Sequence, residues 1–243
     1  MILSTRYTHR TSSTLDGMAT RTIDETTGLP FTRTRADERD RAARNAVVAS
    51  QRGRLVEGVV EATCEKGYGA TTVGDIVARA RVSRTTFYEH FATKDECLVA
   101  AIELAALALN TQIAAAAVHT RPGDSAGAVD AMIDAFCRTV VAQAEFARVF
   151  FCEALAAGQP ARAARDDGIE RVIGQIRQLH DQLGAANPDL VPVTDVQLQI
   201  LIDGIAEQTR RLLDRGRVAD LPRSAPAFAD ACRRMLGLEP ADR

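Results

Sequence analysis

The sequence predicts two short helices separated by a tight turn, and this pair restricts the possible folds of the chain more than any other feature. Thr72 and Asp75 have the Thr-x-x-Asp spacing of a capping box and begin the first of the two helices. Ser83 can cap the second helix, so the turn between the helices runs only from Arg81 to Ser83. Two short helices joined across so tight a turn are typical of the helix-turn-helix arrangement.

Helices are also predicted on both sides of this pair. Apolar residues before Gly67 recur on one helical face, and this glycine has the position that ends a helix. Thr93 and Glu96 repeat the capping spacing and begin a long helix that runs to about Val118. Residues 51–98 therefore contain three short helices and the start of a fourth.

The remainder of the chain gives helical signals and no convincing strand. Alanine is abundant, Trp is absent, and only three Tyr and eight Phe are present, which favours closely packed helices over a β-sandwich. We therefore expect an all-α fold. The segments predicted as further helices are 124–142, 145–157, 160–183, 194–216 and 224–236.

The charge is distributed unevenly along the chain, although the net charge is only −2. Residues 1–54 contain ten Arg against six acidic residues, whereas residues 99–243 contain fifteen basic against nineteen acidic residues. This balance excludes a uniformly basic nucleic-acid coat. An anionic partner is expected to meet the N-terminal part of the molecule.

The N-terminal extension, residues 1–50, has almost no apolar periodicity and is predicted to be mostly disordered and Arg-rich. Its last part, 36–49, can form a short charged helix, and either Met1 or Met18 can be the start of the protein. No apolar run approaches the ~18 residues of a membrane span, and no signal peptide is evident, so we expect a cytoplasmic protein that meets no membrane. The five cysteines form no Cys-x-x-Cys pair, which favours buried thiols.

Residues 67–98 resemble the DNA-binding domain of the TetR family of bacterial transcriptional regulators. The resemblance is specific, because the caps, the core positions and the turn all agree in register. The family commonly has Gly where Arg81 stands, and a left-handed backbone at that position costs another residue about 1 kcal/mol. The matching positions are Gly67-Tyr68, Thr71-Thr72, Asp75-Ile76, Ala78, Val82-Ser83, Phe87-Tyr88, His90-Phe91 and Lys94.

The resemblance implies an all-helical homodimer with two domains in each subunit. Residues 51–98 would form the three-helix DNA-binding domain, and residues 99–243 a helical bundle for ligand binding and dimerisation. The third helices of the two subunits would enter successive major grooves of a palindromic double-stranded DNA operator. Most members of the family repress transcription until a small ligand releases them. For this chain we expect an apolar or amphipathic effector, no cofactor and no metal.

The third helix must bury Phe87 and Phe91, which leaves its other side chains on or near the outer surface. Arg84 is predicted to make a bidentate contact to guanine. Lys94 is predicted to clamp a phosphate, because its ammonium and the N-terminus of the fourth helix point the same way. For Thr72 the alternative to a phosphate contact is simple capping of the second helix. For Arg52 and Arg54, before the first helix, the alternative is a pair of solvated charges. The further predicted DNA contacts are Thr72, Arg52, Arg54, Thr85, Thr86, Tyr88 and His90.

Two regions of the C-terminal part are candidates for ligand binding and dimerisation, and in both the alternative is plain core. By the resemblance, the central helices line an effector cavity, for which the candidates are Met132, Phe136, Cys137, Phe150, Phe151, Gln112 and His180. The last two helices are amphipathic and would form a four-helix interface with the partner subunit. The candidates for this interface are Leu198, Leu201, Ile205, Leu212, Phe228 and Cys232.

Two other functions compete with that of a ligand-controlled repressor. The first is a constitutive or architectural DNA-binding protein without a ligand, which tightly filled central helices would favour. The second is an enzyme with its active site in a helical bundle. The sequence contains no G-x-S-x-G, no Gly-rich phosphate loop and no H-E-x-x-H, and its four histidines lie far apart. We therefore expect a protein that is not an enzyme.

Overall fold

The structure of the chain is a computed structural model. It describes residues 21–23, 30–32, 35–121, 123–186, 190 and 192–238, with side chains for most residues from 49 onward. The chain divides into two units, Met1–Ser50 and Gln51–Arg243.

The first unit contains a short hairpin and the beginning of a helix. Strand β1 (Arg21–Ile23) pairs antiparallel with β2 (Pro30–Thr32), so that Thr22 lies opposite Phe31. Helix α1 begins after the hairpin and spans Arg35–Lys66. The hairpin differs from the predicted extension, which has no strand and is mostly disordered, whereas the helix includes the charged helix predicted over 36–49. The strands are too short to give a periodicity, although Thr, Ile and Phe favour strand pairing. The rest of the predicted disorder lies outside the described residues.

Helix α1 is continuous where the sequence predicts a short charged helix followed by a second one. No proline interrupts it, and Gly53 is exposed within it, with open space around the position of a Cβ atom. Arg52 and Arg54 therefore lie inside the first helix, which corrects the prediction that they precede it. The chain leaves the helix at Gly67, whose φ of 78° matches the predicted helix-ending glycine.

The described residues of the second unit form helices and connecting loops, which confirms the all-α class beyond the hairpin. The helices that follow α1 are α2 (Val73–Ala80), α3 (Arg84–His90), α4 (Lys94–Val118), α5 (Ser125–Ala142), α6 (Ala144–Arg148), a π-helical turn (Val149–Glu153), α7 (Ala154–Ala156), α8 (Gln159–Ala186), α9 (Asp195–Asp214), a 3-10 turn (Val218–Ser224) and α10 (Ala225–Met235).

Helices α1, α2 and α3 pack around a common apolar core. Leu55, Ile76 and Phe87, one from each helix, are fully buried. Burial of side chains of this size stabilises the fold by roughly 1.5–3 kcal/mol each. Gly58 lets α1 and α2 approach closely, because a Cβ atom there would lie 2.8 Å from the carbonyl oxygen of Ile76. This core fixes which face of α3 remains at the surface.

Side-chain caps begin both α2 and α3, and the turn between the two helices runs from Arg81 to Ser83. The Thr72 hydroxyl accepts from the Asp75 N–H, and the Ser83 hydroxyl accepts from the Thr86 N–H at 3.0 Å, as the spacing predicts. Arg81 ends α2 in the left-handed conformation, with φ 55° and ψ 46°. It is the one non-glycine residue with positive φ in the described part of the chain.

Helix α4 is the central helix of the second unit and packs against α5 and α8. Its length and composition would also allow it to cross a membrane, which the sequence analysis did not anticipate. More than half of its apolar window is buried within the protein, which accounts for that composition. Gly168 lets α8 touch α4 directly, because a Cβ atom there would lie 2.8 Å from the Cβ atom of Ala106.

The conformation of Arg81 generates a stability prediction. Arg81→Gly should raise the free energy of unfolding by about 1 kcal/mol, because glycine adopts a left-handed backbone without a Cβ clash. Denaturant unfolding followed by circular dichroism measures the change. Arg81→Ala is the matched control, because it removes the same side chain and keeps the Cβ atom. Equal unfolding free energies for the two variants would show that the backbone at this residue is not strained.

Candidate nucleic-acid interface and ligand cavity

Helix α3 presents a polar face to solvent. Arg84 and Thr85 are exposed, and Tyr88 is 58% exposed although its ring packs edge-on against the buried ring of Phe87 at 5.3 Å. Thr86, whose hydroxyl lies 2.9 Å from that of Ser83, is half-buried. His90, also half-buried, completes the predicted set on this helix. The structure therefore brings these side chains together, and their contacts to DNA stay predictions.

Arg84 stands in the first turn of α3 with its guanidinium beside the preceding helix. One of its terminal nitrogens lies 3.2 Å from the position that a Cβ atom on Gly74 would occupy. A larger residue at position 74 would therefore compete with Arg84 for this space. The guanidinium offers a planar set of donors at the exposed end of the helix, which is the geometry that reads guanine in a major groove.

Thr72 acts as a helix cap, and this limits what it can offer to a phosphate. Its backbone N–H and its hydroxyl both donate to Asp75 Oδ2, at 2.8 and 2.5 Å. Lys66 Nζ lies 2.6 Å from the same oxygen. The hydrogen bond from Lys66 and those from Thr72 hold the pKa of Asp75 well below its usual range. A phosphate at this helix would have to displace a carboxylate, so the capping alternative describes Thr72 better.

The ammonium of Lys94 is largely occupied within the protein. Lys94 Nζ donates to the carbonyl oxygens of Thr71 at 2.9 Å and Tyr68 at 3.3 Å, and it lies 4.3 Å from the centre of the Tyr68 ring. The Tyr68 hydroxyl in turn donates to Asp95. These contacts fasten the start of α4 to the loop between α1 and α2. An ammonium has three N–H groups, so one remains for the predicted phosphate contact.

Arg52 and Arg54 also have partners within the protein. The Arg52 guanidinium lies 4.8 Å from the centre of the Phe91 ring, which is a cation–π contact. Arg54 Nε donates to the Ala80 carbonyl oxygen at 3.2 Å, near the C-terminus of α2. Both side chains therefore contact the helix-turn-helix while they remain exposed to solvent, as the alternative of a solvated pair expects. The predicted contacts of these residues to phosphate or to the minor groove stay predictions.

A cavity of about 90 Å³ lies among the helices of the C-terminal part. Four predicted cavity residues, Met132, Phe136, Phe150 and Phe151, contribute to its wall. The Phe151 ring packs edge-on against both other phenylalanine rings, at 4.9 Å from Phe150 and 6.2 Å from Phe136. Phe150 and Phe151 come from the π-helical turn, a type of irregularity that is frequent at functional sites.

Three predicted cavity residues lie outside this wall. Gln112 is exposed on α4, and Cys137 and His180 are buried elsewhere. Burial raises the pKa of the Cys137 thiol to about 11, as expected of an inert core thiol. The sequence showed that these residues lie on the right helices but not which way each one faces. Wall residues that the sequence analysis missed include Leu109, Asn110, Ile113, Val172 and Ile176.

The predicted interface residues of α9 and α10 largely belong to the core of the chain itself. Leu198, Leu201, Ile205, Leu212 and Cys232 are buried, and Phe228 is partly buried. Leu201, Ile205 and Cys232 contribute to the cavity wall. The apolar side chains that α9 does expose are Val196, at 68%, and Ile200, at 63%. Helix α9 carries apolar residues on more than one face, and the predicted interface residues lie on the face that the chain itself buries.

The comparisons with known proteins agree with this geometry. The sequence model of the family described as bacterial regulatory proteins, tetR family, matches residues 60–101. These residues run from the end of α1 through the helix-turn-helix into α4, and they contain the candidate DNA contacts on α3. No curated protein sequence matches the chain.

Solved structures show the same fold over most of the chain. A bacterial regulatory protein in the tetR family from Rhodococcus RHA1 is 21% identical, covers 78% of this chain and 98% of its own, and has a TM-score of 0.62. The fatty acid degradation regulator FadR from Bacillus halodurans is 14% identical, with 77% and 99% coverage and a TM-score of 0.66. The regulator FadR from Bacillus subtilis, in complex with stearoyl-CoA, is 14% identical, with 76% and 98% coverage and a TM-score of 0.65.

The fold and the helix-turn-helix are those of DNA-binding transcriptional regulators. The match over residues 60–101 confirms the resemblance found in the sequence: the helix-turn-helix is that of the TetR family, and the chain has the fold of the TetR-family structures. Because these structures are less than one quarter identical to the chain, they show its fold but neither its operator nor its ligand.

The position of Arg84 generates a prediction on DNA recognition. Arg84→Ala should weaken binding to a preferred duplex by roughly 1–3 kcal/mol per half-site, because a bidentate base contact is lost. Binding to random-sequence DNA should weaken much less. Fluorescence anisotropy at several salt concentrations measures both affinities. Arg171→Ala, which removes an exposed arginine from α8, is the control and should change neither. Equal losses on the two DNAs would assign Arg84 to phosphate.

Proposed function

We propose that the protein is a transcriptional repressor that binds a palindromic operator as a homodimer in the cytoplasm and leaves it when a small apolar effector binds. The observation that carries this proposal is the course of α4. The helix begins beside the helix-turn-helix at Lys94, and its middle contributes Leu109, Asn110 and Ile113 to the cavity wall. One rigid element therefore connects the two sites.

The DNA side of the proposal rests on the exposed face of α3. Arg84 would read guanine, while the hydroxyl and methyl groups of Thr85 and Thr86 would meet base edges or phosphate. Tyr88 and His90 would donate to phosphate oxygens, which set the position of the protein on the duplex. The two recognition helices of a dimer must stay about 34 Å apart, one turn of DNA, to bind together.

The switch follows from this spacing. The 25 residues of α4 extend for about 37 Å, at 1.5 Å per residue. A ligand that changes the tilt of α4 at the cavity changes the position of Lys94 and of the domain that Lys94 holds. A preference of the ligand for the non-binding spacing of ~1–3 kcal/mol lowers operator affinity 5- to 150-fold. By linkage, the operator weakens ligand binding by the same factor.

The chemistry of the cavity supports an apolar effector. Its wall is almost entirely hydrocarbon, and among the residues that the structure describes no acidic or basic side chain belongs to it. A neighbour of the same fold was solved with stearoyl-CoA, whose acyl chain is apolar. The cavity of about 90 Å³ is smaller than the ~150 Å³ that accommodates benzene in an engineered core. An effector of acyl-chain size would therefore have to push the helices apart, and this movement couples it to α4.

The same small volume favours the second candidate, a DNA-binding regulator or architectural protein without a ligand. In that case the cavity would be a packing defect of the core, and no apolar compound would alter the affinity for the operator. The two candidates share the DNA interface and differ only in this response.

A cavity variant separates the two candidates. Phe150→Leu, with Phe136→Leu as a second example, should weaken the release of DNA by an apolar compound severalfold and leave DNA affinity without that compound nearly unchanged. The physical reason is that a smaller side chain lets the ligand bind without moving α4. A DNA-release assay with an apolar compound library measures both values.

Val140→Ala is the matched control for these variants. Val140 is fully buried on α5 but lies outside the cavity wall, so its truncation costs stability without changing the ligand site. The control should respond to the compound as the unmodified protein does. If no compound in the library releases DNA from the unmodified protein, the constitutive binder is the better account.

The dimer is proposed to form through the exposed face of α9. Val196 and Ile200 lie one turn apart on the surface, and Gly204 continues the same stripe with open space above it. Gly174 on α8, which contacts α9, is equally open. A second copy of this chain can pack two such helices against these two, which gives a four-helix interface.

The proposed interface on the exposed face of α9 can be tested by charge substitution. Val196→Glu combined with Ile200→Glu should give folded monomers with poor operator binding, because burying carboxylates without partners is costly. Sedimentation velocity measures the oligomeric state. Leu107→Glu combined with Val118→Glu, on the exposed face of α4, is the matched control and should leave the dimer intact. A dimer that survives in the α9 variant would place the interface elsewhere.

A further inference from the structure

Apart from Cys232 and Met132, Asn110 is the one residue with a polar side chain among the described residues of the cavity wall. Asn110 lies in the middle of α4 and is 7% exposed. A buried polar group in an otherwise apolar site is costly unless it is hydrogen-bonded. The bonding state of this amide therefore determines which ligand groups the cavity accepts.

Both donors of the Asn110 amide are already used within the protein. Nδ2 donates to the Ala106 carbonyl oxygen at 2.7 Å and to the Gly168 carbonyl oxygen at 3.3 Å. These two acceptors fix the orientation of the amide, because exchanging its nitrogen and oxygen would place three oxygen atoms against one another. Asn110 therefore joins α4 to α8 and has only its oxygen left to offer.

The remaining group, Asn110 Oδ1, is buried and meets no donor among the residues that the structure describes. An amide oxygen has two lone pairs, and an unpaired buried acceptor forfeits the hydrogen bonds that it makes to water in the unfolded chain. A ligand that donates a hydrogen bond to this oxygen satisfies it. A ligand that presents only an acceptor repels it.

We propose that Asn110 Oδ1 is the specificity-determining group of the effector site, and that the effector is a neutral apolar molecule carrying one hydrogen-bond donor, such as a hydroxyl or an amide N–H. This inference rests on the proposed ligand-binding function and names its ligand class. Carboxylate ligands are disfavoured, because the described wall residues include no basic side chain and Oδ1 itself repels an anion. Ethers and ketones are disfavoured, because they have no donor.

The test compares two probes of the same size, n-hexanol and methyl pentyl ether, which differ in whether their oxygen carries a hydrogen. Isothermal titration calorimetry on the full chain gives the two dissociation constants. The unmodified protein should prefer the alcohol by about tenfold, the value of one buried hydrogen bond. Asn110→Leu should bind both probes with nearly equal affinity, because it removes the acceptor and keeps the branched shape and the number of heavy atoms of the side chain.

Two further variants test whether the preference for the alcohol depends on the amide oxygen of Asn110. Ile133→Val, which trims the apolar wall, should change the affinities of both probes alike and keep the tenfold preference. Asn110→Ala is the second variant if Asn110→Leu does not fold by circular dichroism, and it too should lose the preference. The proposal is wrong if the folded Asn110 variant prefers the alcohol as strongly as the unmodified protein does. It is also wrong if the unmodified protein shows no preference for the alcohol, or binds neither probe.

Operator release is measured separately with the same probes, so that the two proposals fail in different ways. An alcohol that binds with the expected preference and leaves operator affinity unchanged contradicts the proposed switch, while the assignment of Asn110 stands. Release of the operator by the ether as strongly as by the alcohol, at equal concentration, contradicts the assignment of Asn110 and leaves the switch intact.

Discussion

Helix α4 is held by side-chain hydrogen bonds at two places, and these bonds connect it both to the helix-turn-helix and to α8. At its start, the carbonyl oxygens of Tyr68 and Thr71 hold the ammonium of Lys94, which attaches the helix to the DNA-binding domain. About 24 Å further along its axis, the amide of Asn110 donates to Gly168 on α8. The same helix therefore contacts the helix-turn-helix at its start and contributes to the cavity wall in its middle. The proposed switch depends on this double role of α4.

Much of this arrangement could be predicted because the signals are local. A cap such as Thr72 or Ser83 acts within its own turn, and the structure shows both of them accepting the predicted backbone N–H groups. The left-handed conformation of Arg81 was also implied by the position of glycine in the resembling family. Caps, turn and buried phenylalanines fix the recognition helix without information from distant parts of the chain.

Side-chain partners in distant segments, and the face on which an apolar residue lies, could not be predicted from the sequence. Arg54 and Lys94 look like free cations in the sequence, but each donates to a main-chain carbonyl more than 20 residues away. Leu201 is as apolar as Ile200, and only packing shows that Leu201 faces the cavity while Ile200 faces solvent. Asn110 was missed because a lone amide in an alanine-rich helix gives no periodic signal.

We propose that two copies of α3 in a dimer read a palindromic DNA sequence. Selection of bound duplexes from a random DNA pool, followed by sequencing, is the decisive measurement. A dimer of this kind should enrich an inverted repeat whose half-sites are separated by about one helical turn or a multiple of it, centre to centre. Enrichment of no sequence, or of a single site without twofold symmetry, would show that α3 does not read DNA in this way.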